Sequence, residues 1–444
     1  MNKFNVVSIL KFFYYLMPRF VRGQYLDSAT FFRDVFLFNK NSSSKLNIEN
    51  KVVLCNEIES LGADLYIFCH FGNRKNTINQ PVIYIDNIKC CRPAIHGSLM
   101  DVTLARLCSV SLIGGTDAII YNEKMYHQEL MSMLDTSDLK QPDIFVRQLS
   151  VSNSLNYIVR SKGPDLNIKG VSISLLKEHS SNYYHCVTEI LPRLNTILTH
   201  VTIDKYLSII IDDCMPFQIR RMIEIMLSKQ PSIQYDFIHV EKGQKVNCCE
   251  LIYCTPLWLS LDNTQHLPDP KREFFVSSDG LKCIKDQISS VFKFPSAAIS
   301  NKRKIYLQRP NDRLRKIANI IEVERVLYKQ NFEFVNTGSL SFEEQYQLFS
   351  EADIVLGVSG ASFTNLLFMK PNSKAVILSP SAQCTNYYIF QPLADVSEVE
   401  LVHLLSKPDD DSNSLHGDAS VNLEELELFL SEMSCDSIDG GFIK

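Results

Sequence analysis

From about residue 302 the chain alternates short apolar runs with amphipathic segments at an even pace. KIYLQR, FEFVNT, DIVLGV and KAVILSP have the length and β-branched content of buried strands. Between them, residues 319–330 and 341–352 carry apolar side chains at helical spacing. The second of these opens with Ser341 and Glu344, a capping-box pair. SFTNLLFMK reads as a short helix stopped by Pro371. Strict alternation of strand and helix predicts a doubly wound, parallel-sheet unit. Upstream the rhythm is looser. KVVLC, LSIIIDD, YDFIHV and ELIYCTP read as strands, and residues 216–229 as a helix. VSLIGGTDAIIYNEK reads as a hairpin punctuated by Gly114 and Gly115. A second α/β unit with a parallel sheet is expected there. Polar stretches at 40–50 and 407–420 read as linkers, the latter leading into a helix over 423–433. The expected division is therefore 1–50, 51–295, 296–406 and 407–444.

Residues 5–22 form an amphipathic pattern with a basic face, interrupted by Pro18. Its charges prevent it from spanning a bilayer, which needs about 20 apolar residues. Docking on the protein's own core and lying on an anionic membrane surface both fit it. With 45% apolar and 21% charged residues, the 444-residue chain has globular composition. A net charge of −5 argues against nucleic acid as a partner. The 13 cysteines include no CxxC pair, which points to reduced thiols, a cytoplasmic location and no metal site.

Three stretches carry candidate chemistry. In SSNYYHCVTEILPRL, Ser181 or Asn182 is placed to cap a helix on which His185 and Glu189 share one face. A zinc protease needs HExxH, which is absent, so a catalytic pair and a solvated stripe both remain open. In YLQRPNDRLRKIAN, Arg309, Arg313 and Arg315 follow the carboxyl end of a strand, where open α/β sheets bind ligands. Guanidinium forks match phosphate oxygens. In VLGVSGASFTNLLF, Gly360 permits a tight turn into a helix near Ala361, whose N-terminal N–H groups suit an anion. No Walker lysine or GxGxxG accompanies it.

Together these stretches resemble glycosyltransferase family 61. An NYxHxxxExLPRL-type helix is matched by Asn182, Tyr183, His185, Glu189, Pro192 and Arg193. A YxxR…R…N segment is matched by Tyr306, Arg309, Arg313 and Asn319. A GxHGAxxTNLLF loop is matched by Gly357, Gly360, Ala361, Thr364, Asn365 and Leu366, with Ser359 where the family usually has histidine. LIGGTDAIIYNEKMYHQE is similar to the region before the helix in bacterial members, which act in capsular polysaccharide synthesis. The resemblance implies a GT-B-like α/β fold, two Rossmann-like domains facing a cleft. It implies inverting transfer of a sugar from a nucleotide-diphosphate sugar to a glycan or lipid-linked glycan acceptor, with no cofactor and no obligatory metal. Arg309, Arg313, Ser359, Gly360, Ala361, Thr364 and Asn365 would hold the donor in the unit 296–406. The unit 51–295 would present the acceptor, with Glu189 as the base and His185 orienting it. The reverse assignment is also open, because imidazole changes charge near neutral pH. The alternative is a nucleotide-sugar- or glycan-binding protein of the same fold with impaired catalysis.

Overall fold

The computed structural model describes residues 46–72, 74–134, 145–148, 156–203, 206–258, 275–292, 303–309, 317–381, 385–408 and 418–435. The segment 5–22, and with it the membrane-surface reading, lies outside the described residues. No helix among those described is long and apolar enough to cross a membrane.

In chain order, the strands that position the site are β1 (Val82–Ile85), β2 (Ile88–Cys91), β3 (Val102–Ile113), β4 (Leu166–Ser174), β5 (Leu207–Asp212) and β6 (Tyr235–Val240). They continue with β7 (Lys245–Cys254), β8 (Lys304–Leu307), β9 (Glu333–Val335), β10 (Ile354–Val358), β11 (Lys374–Pro380) and β12 (Glu400–Pro408).

The downstream unit follows its pattern closely. Its strands run parallel in the order β9-β8-β10-β11-β12. By chain position that is 2-1-3-4-5, a doubly wound order whose direction reverses between the first and third strands. The helix Phe342–Glu351 has the full capping box, with Ser341 and Glu344 bonded reciprocally. The short helix expected near Ala361 is Ala361–Phe368, and it is of the 3-10 type. Residues 363–368 are all buried, so packing on every side governs this apolar run more than helix propensity does.

The upstream unit is mixed. Strands β7-β4-β5-β6 are parallel, as expected, but β3 pairs antiparallel with β7, and the earlier strands form further antiparallel pairs. The first strand already begins at Leu46, inside the stretch read as a linker. More consequentially, β1 and β2 leave this unit altogether. β1 pairs parallel with β12, and β2 closes the hairpin on its outer edge. Asp86 and Asn87 at φ 49° and 60° make the tight turn between them, the conformation these residues tolerate best. The sheets therefore do not divide at residue 295.

The two units also share a core. Ile173, Leu191 and Ile209 belong to the same buried cluster as Val355, Phe363, Leu366 and Ile377. A second cluster packs Tyr84 and the helix Leu423–Cys435 on the far face of the downstream sheet, with Tyr84 and Phe429 rings 4.9 Å apart. Replacing Tyr84 with alanine should cost about 3 kcal/mol in denaturant unfolding. It should also speed amide exchange in residues 423–433. Unchanged exchange there would mean that β1 is not integral to this sheet.

Candidate functional site

The chain leaves the carboxyl end of β4 through residues 175–182 and enters the helix that carries His185. Asn182 is the cap: its side chain accepts from the Tyr184 N–H at 3.0 Å. The helix is α at Tyr183–His185, widens to a π turn at Cys186–Ile190, and returns to α at Leu191–His200. Pro192 gives the local reason. It has no N–H to offer the Thr188 carbonyl, so that carbonyl is left for another donor. Trp258 supplies one, with Nε1 donating to Thr188 O at 2.7 Å. Trp258→Phe should orphan this buried carbonyl and lower stability by about 1–3 kcal/mol in denaturant unfolding. No loss would remove Trp258 as the support of the π turn.

Across the π turn, His185 Nδ1 lies 2.5 Å from Glu189 Oε1. The carboxylate is sealed in, with 1% of its side chain exposed, whereas the imidazole shows 16%. The pair is therefore no solvated stripe. Lys177 Nζ sits 3.0 Å from Glu189 Oε2, an ion pair off the ideal hydrogen-bonding direction, and 3.1 Å from Glu129 Oε2. Burial pushes the Glu189 carboxyl up, but Lys177 and then His185 outweigh it, so its pKa lies below the usual value. Burial pulls the Lys177 ammonium down, yet Glu129 and Glu189 more than compensate and hold it above its ordinary pKa. Burial raises the Glu129 carboxyl, and Lys177 offsets this only in part.

Asp212 braces this array from the end of β5. It accepts from the Lys177 N–H at 3.0 Å and the Gly115 N–H at 2.6 Å. Burial still pushes its pKa up to about 6. The paired glycines now have a cause. Gly115 has φ +75°, and a Cβ on Gly114 would lie 2.2 Å from the Glu241 carbonyl oxygen. Arg193, a motif residue, is 1% exposed; its Nε donates to Cys254 O at 2.9 Å and its guanidinium stacks on Tyr253. It fixes the helix to β7.

The second half of the site lies at the carboxyl ends of β8 and β10, where the strand order reverses. Arg309 follows β8, and its Nη1 donates to Ser359 O, after β10, at 2.6 Å. A Cβ on Gly360 would come within 2.9 Å of that Nη1, so glycine is what lets the guanidinium lie against the turn. Ser359, Gly360 and Ala361 are half-buried. Arg313 and Arg315 lie outside the described residues. Thr364 and Asn365, expected above to hold the donor, are both 0% exposed. Asn365 ties the units together. It accepts from Tyr183 Oη at 2.8 Å and donates to Gln345 Oε1 at 2.8 Å. Tyr184 Oη adds a bond to Ile389 O at 2.9 Å.

Glu129, Glu178 and His179 place potential metal-ligand atoms within 4.8 Å of one another. The Lys177 ammonium already neutralises Glu129, so a cation there would have to displace it.

The helix and the turn thus meet, and both fall inside one matched region. Residues 183–376 match the family model Glycosyltransferase 61. No curated protein matches the chain. Among solved structures, the iron-containing dodecameric glycosyltransferase TibC from enterotoxigenic E. coli H10407 aligns at 8% identity and TM-score 0.26, over 78% of this chain and 84% of its own. TibC in complex with ADP-D-beta-D-heptose aligns at 8% identity and TM-score 0.23, over 74% and 81%. Likeness at that level carries no argument about this site.

Lys177, Glu129 and Asp212 were not singled out by sequence reasoning. Their signal is a charged residue set directly against an apolar run, as in SISLLK and SIIID. A further buried pair, Asp117 and His127, lies 2.5 Å apart. Burial lowers His127, but Asp117 outweighs it and raises its pKa; burial raises Asp117, but His127 brings it below the usual range. The histidine's contribution to stability is then fully present below its unfolded pKa of about 6.5 and is lost as pH rises through its raised folded value. Thermal unfolding should show wild type losing more stability between pH 6 and 9 than Asp117→Asn does. Equal losses would rule out the charged pair.

Proposed function

We propose that this chain is a glycosyltransferase that moves a sugar from a nucleotide-diphosphate sugar to the hydroxyl of a glycan acceptor, with inversion. The observation that carries the reading is the Tyr183–Asn365 hydrogen bond. It joins the helix bearing the His185–Glu189 pair to the turn at the switch point, inside the region matched to a glycosyltransferase family. In this reading the units present donor and acceptor to one another in the GT-B manner.

The burial difference within the pair supports one division of roles. Glu189 is sealed and ion-paired, so it orients the imidazole through Nδ1. His185 reaches the surface and takes the acceptor proton at Nε2. The acceptor oxygen then bonds to the anomeric carbon as the bond to the diphosphate breaks. Arg309 and the Ser359–Gly360 turn stabilise the charge on the departing nucleotide diphosphate. This takes the reverse of the Glu189-as-base assignment. Ser359, in place of the family's histidine, also favours a second reading, a donor-binding protein without turnover.

The test is a nucleotide-sugar panel read by slow donor hydrolysis and by transfer. His185→Asn should cut the rate by about 10²–10⁴-fold while leaving donor affinity unchanged, and Glu189→Gln should cut it less. Wild-type turnover in His185→Asn would overturn the base. Donor affinity with no turnover in the wild type would select the binding protein.

A further inference from the structure

Beneath the His185–Glu189 pair lies a chain of charges drawn from three separate stretches of sequence. Glu129 comes from the helix Gln128–Leu134, Lys177 from the segment after β4, and Glu189 from the π turn. Their side chains are 2%, 2% and 1% exposed, so water does not screen them. Lys177 lies between the two carboxylates, 3.1 Å from one and 3.0 Å from the other. Its backbone is fixed separately, through the bond from its N–H to Asp212 Oδ2. The long side chain can therefore change without freeing the segment.

A carboxylate this deeply buried, with another nearby, favours its protonated form. Protonated on Oε1, Glu189 could no longer accept a hydrogen bond there from His185 Nδ1 or balance the imidazolium formed when the ring takes a proton. We propose that Lys177, held by Glu129, is a positioning residue for the transfer reaction: its ammonium keeps Glu189 an anion with Oε1 directed at His185 Nδ1. This rests on the reading of His185 as the base. The three buried groups together carry one net negative charge, and the proton arriving on His185 cancels it. Among the described residues the array is also faced by Asp117 and Glu178 toward Glu129, Arg193 and His127 toward Asp117, Asp212 at the Lys177 N–H, and His179 beside the His185 ring. None of them reaches Glu189 as closely as Lys177 does.

Lys177→Met removes the ammonium and keeps most of the side chain's length. At pH 7, infrared difference spectra should show a protonated-carboxyl band that wild type lacks, and adding Glu189→Gln should abolish it. In the same variant kcat should fall about 10²-fold, with donor affinity unchanged. Lys177→Arg, which retains the charge, should show no such band and should recover most of kcat. If Lys177→Met fails to fold, Lys177→Met with Glu129→Leu removes both charges together and carries the same expectations, because apolar replacement of a buried pair is often tolerated. A folded variant with wild-type kcat and no carboxyl band would overturn the proposal. The infrared result needs no substrate. If wild type turns over no donor, the transferase reading fails, while the band still decides whether Lys177 keeps Glu189 ionised.

Discussion

A lysine ammonium in a protein interior is tolerated only where carboxylates meet it at close range. Lys177 is 1% exposed and meets two. That requirement fixes the end of β4 against the helix Gln128–Leu134 on one side and the π turn on the other. Asp212 then holds the same segment by its backbone and pins the Gly114–Gly115 turn beside it. Elements far apart in sequence are thereby held in one register, and His185 inherits its position from them.

The units are coupled by shared packing. A single apolar cluster runs from β4 and β5 into β10 and the 3-10 helix Ala361–Phe368. Within it, Tyr183, Asn365 and Gln345 form a short buried chain of hydrogen bonds. Buried polar groups must be paired, so this chain accepts only one alignment of helix and turn. The strand exchange adds a second constraint, since β1 and β2 complete the downstream sheet from upstream sequence.

Several motif residues are engaged in contacts within the protein. Arg193 spends its guanidinium on Cys254 O and the Tyr253 ring. Asn365 spends its amide on Tyr183 and Gln345. Pro192 shapes the helix, and Trp258 satisfies the carbonyl that Pro192 leaves. Among the described motif residues, His185, Arg309 and the turn at 359–361 keep part of their surface exposed.

Local pattern by itself determined the downstream unit, because its strands and helices follow one another at short range and each announces its ends. The capping box at Ser341, the strands β8 to β11 and the i,i+4 placement of His185 and Glu189 were all legible in this way. The departure of β1 and β2 into the other sheet was not, since an edge pairing depends on what the distant β12 offers. The same holds for the different surroundings of the two members of the pair. Spacing puts His185 and Glu189 on one face, but only tertiary packing buries one, exposes the other and sets Lys177 beneath them. Periodicity is a property of neighbours along the chain. Burial and charge pairing are properties of neighbours in space, and those decided which member of the pair is sealed and which stays partly exposed.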